Sequence, residues 1–126
     1  MTENADLPRA ARQFMDDMGA VSTPARLDGT RILYDVIAVG GALAGQAVTT
    51  GVSISEVQSW PEVPPHWIHL ADSVVFAQTN EDVVDCPPGW KRHSREYGHT
   101  DMSVPPALAW LRHVRGFISI AQSKAA

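Results

Sequence analysis

A cluster of prolines near the middle of the chain places the tightest constraint on its fold. Pro61, Pro64 and Pro65 all fall in the segment "WPEVPPHWIHL". Proline fixes φ and lacks the N–H group that a helix or a central strand requires. The sequence therefore predicts neither a helix nor a central strand here. We expect a rigid turn at a sheet edge, with Trp60 or Trp67 buried.

Strand-like segments lie on both sides of the prolines. The stretch "RILYDVIAV" is rich in β-branched and aromatic residues, which is typical of a strand. Gly40 and Gly41 then supply a turn, and "QAVTTGVSISEV" predicts the returning strand of a hairpin. After the prolines, the short apolar run "DSVVFAQ" predicts another strand. We expect one antiparallel sheet built within residues 31–77.

The two ends of the chain carry amphipathic patterns that predict helices over residues 7–18 and 105–121. The two apolar stripes consist of Leu7, Ala11, Phe14 and Met18, and of Leu108, Leu111, Val114, Ile118 and Ala121. Between the sheet and the second helix, "TNEDVVDCPPGWKRHSREYGHTD" has no sustained period and predicts a long ordered loop. The class is α+β, an antiparallel β-meander with flanking N- and C-terminal helices.

Length and charge limit the functions open to the chain. Its 126 residues predict a single domain with an ordered core over about 6–121. The formal charge of −4 provides no global basic field, so neither nucleic acid nor membrane is an expected partner. The polar, acidic start lacks the features of a signal peptide, and a cytoplasmic location is expected.

The order of these elements resembles the ubiquitin-conjugating (E2/UBC) fold, especially its divergent bacterial branch and the related RWD domains. The stretch "GGALAGQAVTTGVSI" resembles the family's glycine-rich hairpin, and "WPEVPPHW" its "YPxxPP" element, with Trp60 replacing the tyrosine. The chain's single cysteine, Cys86, follows Pro61 by 25 positions, close to the family's spacing. Downstream, "WKRHSRE" resembles a signature of one bacterial E2-like family.

The resemblance implies a function in a bacterial ubiquitin-like protein conjugation system. Cys86 would accept the modifier's activated C-terminus from an E1-like enzyme and pass it to a target. Asn80 would stabilise the oxyanion, although "QTN" stands where the family has "HPN". By family analogy, Arg9, Arg12 and Gln13 on the first helix would face the E1-like enzyme. The expected partners are an E1-like activating enzyme and a ubiquitin-like modifier protein.

The residues around Cys86 suit acyl transfer. A thiolate attacks carbonyl groups well, and its thioester remains reactive. The prolines of "DCPPG" stiffen the loop. Lys91, Arg92, His93 and Arg95 predict an electropositive neighbourhood that lowers the pKa of the thiol, whereas Asp85 would raise it.

Alternative interpretations remain open at this point. Cys86 is also compatible with a buried structural role, and His93 with Ser94 is a second candidate acyl-transfer pair. A non-catalytic adaptor would present the Trp60–Trp67 loop, or the 87–97 loop with Trp90 and Arg92, to a partner protein. A purely structural domain is the third option.

A zinc site built from "HWIH" is disfavoured, because odd spacing in an extended segment places its histidines on opposite faces. No cofactor or metal is predicted.

Overall fold

The computed structural model describes residues 7–76, 80–94 and 103–123. The chain forms two helices and eight strands in this part. In chain order these are α1 (Arg9–Ala20), β1 (Arg26–Asp28), β2 (Arg31–Ile37), β3 (Ala47–Ser53), β4 (Trp67–Ala71), β5 (Val74–Val75), β6 (Asn80–Asp82), β7 (Trp90–Ser94), α2 (Pro106–Ile118) and β8 (Gln122–Ser123). Two short 3-10 helices, Gly41–Leu43 and Ile54–Val57, lie before and after β3.

Six of the strands form one antiparallel sheet in the order β1-β2-β3-β4-β7-β6. The small strands β5 and β8 pair separately. The prediction of an α+β fold, with an antiparallel sheet and flanking helices, is confirmed. The helices also lie close to the predicted ranges, since α1 covers Arg9–Ala20 and α2 covers Pro106–Ile118.

The hydrophobic core lies between the helices and one face of the sheet, here called the helix face. Phe14 and Met18 of α1 are fully buried, as predicted from the helical spacing. Trp110 of α2 is also fully buried, and its Nε1–H donates a 2.8 Å hydrogen bond to the hydroxyl of Tyr34 on β2. That bond satisfies the polar ends of both aromatic side chains within the core.

The opposite face of the sheet, here called the site face, carries a different set of side chains. Alternation along each strand places neighbouring residues on opposite faces, and cross-strand partners share a face. The register aligns one row across all six strands, consisting of Arg26, Leu33, Gly51, His69, Arg92 and Asp82. This row brings an imidazole, a guanidinium and a carboxylate together from distant parts of the sequence.

The proline segment connects β3 to β4. Trp60 is 4% exposed, its ring meets Phe14 edge-on at 4.9 Å, and its Nε1–H donates to Asp17 at 2.9 Å. The Trp60–Pro61 bond is cis. The prediction that a tryptophan of this segment is buried is confirmed. The predicted exclusion of a central strand is wrong beyond the prolines, because β4 begins at Trp67 and pairs with β3 and β7.

The predicted extent of the sheet also needs correction. It begins at β1, before residue 31, and continues through β6 and β7, which lie in the segment expected to be a loop. These strands are short and rich in charged residues, so they show no apolar alternation. Pairing of β1 with β2, of β7 with β4 and of β6 with β7 supplies their backbone partners and overrides the weak local preference. The run "DSVVFAQ" contributes only β5, and its Gln78 lies outside the described residues.

Neither helix approaches the length of a membrane span. They contain 12 and 13 residues, whereas about 20 apolar residues are needed to cross a bilayer. A search of the described residues finds no helix with the necessary length and hydropathy.

We expect Trp60→Ala to destabilise the protein by about 3–5 kcal/mol, because it removes a fully packed ring from the core. Trp67 is only partly buried, so Trp67→Ala should cost less and serves as the matched control. Urea unfolding followed by circular dichroism measures both free energies of unfolding. A Trp60→Ala cost no larger than that of Trp67→Ala would contradict this account.

Candidate functional site

The loop between β6 and β7 places Cys86 over the site face. Its Sγ lies 3.5 Å from Nδ1 of His69, and its side chain is half-buried. A turn holds the backbone, in which the Cys86 N–H donates to the carbonyl of Val83 at 3.0 Å. The preceding residue, Asp85, adopts a φ of 60°, a left-handed conformation that aspartate tolerates better than most residues. The sequence-predicted nucleophile therefore contacts a histidine that was not predicted to have a catalytic role.

The other nitrogen of His69 contacts the carboxylate of Glu56. Nε2 lies 3.0 Å from both Oε1 and Oε2. An ionised carboxylate can only accept, so this contact favours the tautomer in which Nε2 carries the proton and Nδ1 presents its lone pair to the thiol. Cys86, His69 and Glu56 thus form a nucleophile, a base and an orienting carboxylate, which is the arrangement that activates nucleophiles in acyl transfer.

Glu56 is fixed from several directions. It lies in the 3-10 helix after β3, where its Oε1 accepts the backbone N–H of Ser53 at 3.1 Å in a capping box. Its Oε2 accepts from Nη1 of Arg92 at 3.1 Å. The Arg92 Nε–H also donates to Asp82 at 2.6 Å, and its guanidinium lies 3.9 Å from the centre of the Trp67 ring. The orienting carboxylate is therefore held by the backbone and by a fixed cation.

The electrostatic environment of Cys86 differs from the expectation. Burial raises the pKa of the thiol, and the charge of Arg31 opposes this shift. The predicted net lowering is wrong, because burial outweighs the lowering effect of Arg92, the member of the predicted electropositive run that acts on the thiol. Lys91 pairs with Glu81 at 2.7 Å, and Arg92 pairs with Asp82 and Glu56. Arg95 lies outside the described residues.

His93 and Ser94 do not face each other. His93 points to the helix face, where it is 1% exposed and packs against Phe76 and Phe117. This burial lowers its pKa. Ser94 points to the opposite face and contacts His66 instead, with 2.6 Å between Oγ and Nε2. A second hydroxyl–imidazole pair therefore exists, but with a different histidine from the one predicted.

Asn80 begins β6 and is exposed. It pairs with Ser94, whereas Asp82, two residues further along β6, pairs with Arg92. Two residues of strand correspond to about 6.6 Å, so Asn80 lies to one side of the row that carries His69. Its role at the oxyanion stays a prediction.

The predicted partner-binding residues fall in four environments. Arg9, Arg12 and Gln13 are exposed on α1. Trp67 and Trp90 are half-buried on the site face, each beneath a guanidinium, and the guanidinium over Trp90 belongs to Arg31 at 4.4 Å. Trp60 belongs to the core, and Arg92 to the ion-pair network. Of the predicted partner-binding residues, those on α1 are therefore the ones that a partner protein could reach directly.

Comparison with known proteins does not identify a family. No family model matches the chain, and no curated protein or solved structure shows a significant match. The resemblance to ubiquitin-conjugating enzymes stays a prediction.

Sequence reasoning missed His69, Glu56 and Arg31 as site residues. His69 stood out only as part of "HWIH", where odd spacing was expected to place the two histidines on opposite faces. That expectation is not confirmed, because His66 contacts Ser94, a residue of the site face that also carries His69. Glu56 had one local signal, the serine three residues before it, which is the pattern of a capping box. Within the described residues, no group of three or more His, Cys, Asp or Glu side chains is arranged to hold a metal ion.

We expect the thiol of Cys86 to titrate at higher pH in the folded protein than in the unfolded chain, because burial disfavours the thiolate. The rate of iodoacetamide modification, followed by intact mass spectrometry against pH, should have a higher midpoint in buffer than in concentrated urea. Cys86 is the only cysteine in the chain, so the signal is unambiguous. A folded midpoint at or below the unfolded one would contradict this account.

We expect Arg92→Gln to destabilise the fold by about 2–4 kcal/mol, because it leaves the enclosed Glu56 carboxylate without its cation. The Glu56 and Arg92 side chains are 7% and 13% exposed. Arg26→Gln is the matched control, since Arg26 pairs with Asp35 at 51% and 52% exposure and such surface pairs contribute about 0–1 kcal/mol. Urea unfolding measures both, and equal costs would refute the difference in burial as the cause.

Proposed function

We propose that this protein is an E2-like carrier in a bacterial ubiquitin-like conjugation system. Cys86 accepts an activated modifier C-terminus from an E1-like enzyme and passes it to a target. The observation that carries the proposal is the placement of the Cys86 thiol 3.5 Å from a histidine nitrogen, with the other nitrogen of that ring held by a buried carboxylate.

The arrangement of elements supports the same proposal. Helix α1 precedes the antiparallel meander β1 to β4, and the proline segment joins β3 to β4. Cys86 follows in a loop, and α2 comes after it. This is the order that the resemblance to the UBC-like fold implies. A cytoplasmic location belongs to the same proposal.

The acyl-transfer step is consistent with the raised pKa of the thiol. Cys86 is largely protonated at neutral pH, so it requires a base when it attacks. Nδ1 of His69 takes the thiol proton while Sγ forms a bond to the carbonyl carbon of the modifier's thioester. The tetrahedral oxyanion then collapses, and the bond to the sulfur of the E1-like enzyme breaks. The departing thiolate takes the proton from His69, which returns the imidazole to its neutral form.

The Ser94–His66 pair is a second candidate for the acyl carrier. Its 2.6 Å contact is shorter than that of Cys86, and both side chains reach the surface. A hydroxyl with an adjacent base can carry an acyl group as an ester. No carboxylate contact to His66 is recorded among the described residues, whereas His69 has Glu56. The orienting carboxylate therefore favours Cys86.

The two candidates differ in the bond they form with the modifier. Incubation with the cognate E1-like enzyme, ATP and modifier should give a conjugate that a thiol reductant cleaves. Cys86→Ser should give a conjugate that resists reductant but not hydroxide, because an oxyester is a poorer acyl donor. Cys86→Ala should give none, and His69→Gln should slow loading by about 10²–10⁴-fold, the usual contribution of a general base.

Variants of the Ser94–His66 pair serve as controls for those of the Cys86–His69 pair in the same assay. Ser94→Ala and His66→Gln should load as the wild type does. If Cys86→Ala still loads and Ser94→Ala does not, the carrier is the hydroxyl and the assignment to Cys86 is wrong. If the wild type accepts no modifier but binds a component of the system, the non-catalytic adaptor is the correct interpretation.

A further inference from the structure

A pocket of about 380 Å³ lies directly beside Cys86. Its walls are the turn between β1 and β2, residues Asp28–Arg31, and the loop residues Asp85–Pro87. A pocket of this volume is of the size that holds a small ligand or the end of a larger one. Cys86 and Arg31 both line this pocket, so it is bordered by the thiol-bearing residue and by a cationic one.

Arg31 is buried with incomplete hydrogen bonding. The residue is 3% exposed, and its Nη1 has no hydrogen-bond partner among the residues that the structure describes. Its Nη2 contacts Oδ2 of Asp28 at 3.5 Å, which is the limit of a hydrogen bond. A buried charged donor without an acceptor is costly, and a native fold that keeps one requires an explanation, of which a bound ion or a catalytic role is one kind.

Arg31 differs in this respect from the other guanidinium near the site. Arg92 donates to two carboxylates, Asp82 and Glu56, at distances between 2.6 and 3.2 Å. Arg31 instead lies with its guanidinium 4.4 Å from the centre of the Trp90 ring, an aromatic face that holds its plane but accepts no strong hydrogen bond. Its charge also acts on the thiol more strongly than that of Arg92. Arg31 therefore lies beside the same pocket as Cys86 and has an Nη1 group without a hydrogen-bond acceptor among the described residues.

We propose that Arg31 binds the oxygen of the acyl group at Cys86 and neutralises the charge that develops there during transfer. The role of Arg31 in catalysis rests on the proposed function of the protein, whereas the attraction of Arg31 for a negatively charged group beside Cys86 does not. Arg31 then supplies the donor that the resemblance assigned to Asn80. Preorganised donors of this kind stabilise the oxyanion in acyl transfer.

The two carboxylates of the pocket define the kind of ligand. Asp85 accepts a 3.2 Å hydrogen bond from the hydroxyl of Ser55, and the Asp28 side chain is 60% exposed. Their charges partly offset that of Arg31, so the pocket attracts an anion less strongly than Arg31 alone would. It suits a carbonyl oxygen that is neutral on arrival and becomes negative only in the tetrahedral intermediate.

Alkylation of the single cysteine tests this without any partner protein. Iodoacetate and iodoacetamide form the same bond to sulfur, but iodoacetate carries a carboxylate. The ratio of their rates with one variant cancels the thiolate fraction and reports the local attraction for an anion. We expect Arg31→Gln to lower the iodoacetate-to-iodoacetamide ratio by about three- to tenfold at low salt. Arg31→Lys should keep part of the preference, and Arg26→Gln, on the neighbouring strand, should leave it unchanged.

A second variant covers the risk that a change at buried Arg31 prevents folding. Asp28→Asn removes an opposing charge from an exposed side chain, so it should raise the ratio about two- to threefold, with the effect fading as salt increases. A folded Arg31→Gln protein with the wild-type ratio, or an Asp28→Asn protein without an increase, would overturn the proposal. If the ratios change as expected while the conjugation assay fails, the anion site stands and the carrier function falls.

Discussion

The buried carboxylate of Glu56 is the group on which the candidate site depends. It accepts hydrogen bonds from the Ser53 backbone, the His69 imidazole and the Arg92 guanidinium. These partners belong to β3, β4 and β7, so a single side chain connects three neighbouring strands. A buried charge persists only when such partners compensate its loss of hydration. The same compensation fixes which nitrogen of His69 carries a proton, so stability and chemistry have one origin here.

The two faces of the sheet have different roles: the helix face forms the hydrophobic core, and the site face carries the candidate functional residues. The helix face carries the apolar core, in which Tyr34 and Trp110 complete each other's hydrogen bonding. The site face carries the row that ends in Arg92 and Asp82, and the Cys86 loop lies across it. Because strand alternation separates the two sets, side chains of the site can change without creating cavities in the core. A substitution at the site instead destabilises the protein by leaving a buried charge unpaired, as removal of Arg92 would do to the Glu56 carboxylate.

Local sequence patterns predicted the elements that bury an apolar stripe. Both helices, β2 and β3 have such stripes, whereas β6 and β7 do not. Strand β7 pairs with the edge of β4, and β6 pairs in turn with β7. The site divides in the same way. Cys86 was predictable from the loop that contains it, but His69 and Glu56 were not, because they lie 17 and 30 positions away along the chain. Only the register of β4 against β7, and the capping box after β3, bring them together.

A resting thiol with a raised pKa fits the proposed carrier better than a permanent thiolate would. A thiolate exposed beside a pocket would react with any electrophile, whereas a protonated thiol attacks only when a carbonyl carbon is positioned against it. In the proposed mechanism, His69 at 3.5 Å from the thiol removes the proton, and Arg31, which lines the pocket beside Cys86, stabilises the oxygen that gains charge. Both groups act on the same tetrahedral intermediate, one through the sulfur and the other through the oxygen.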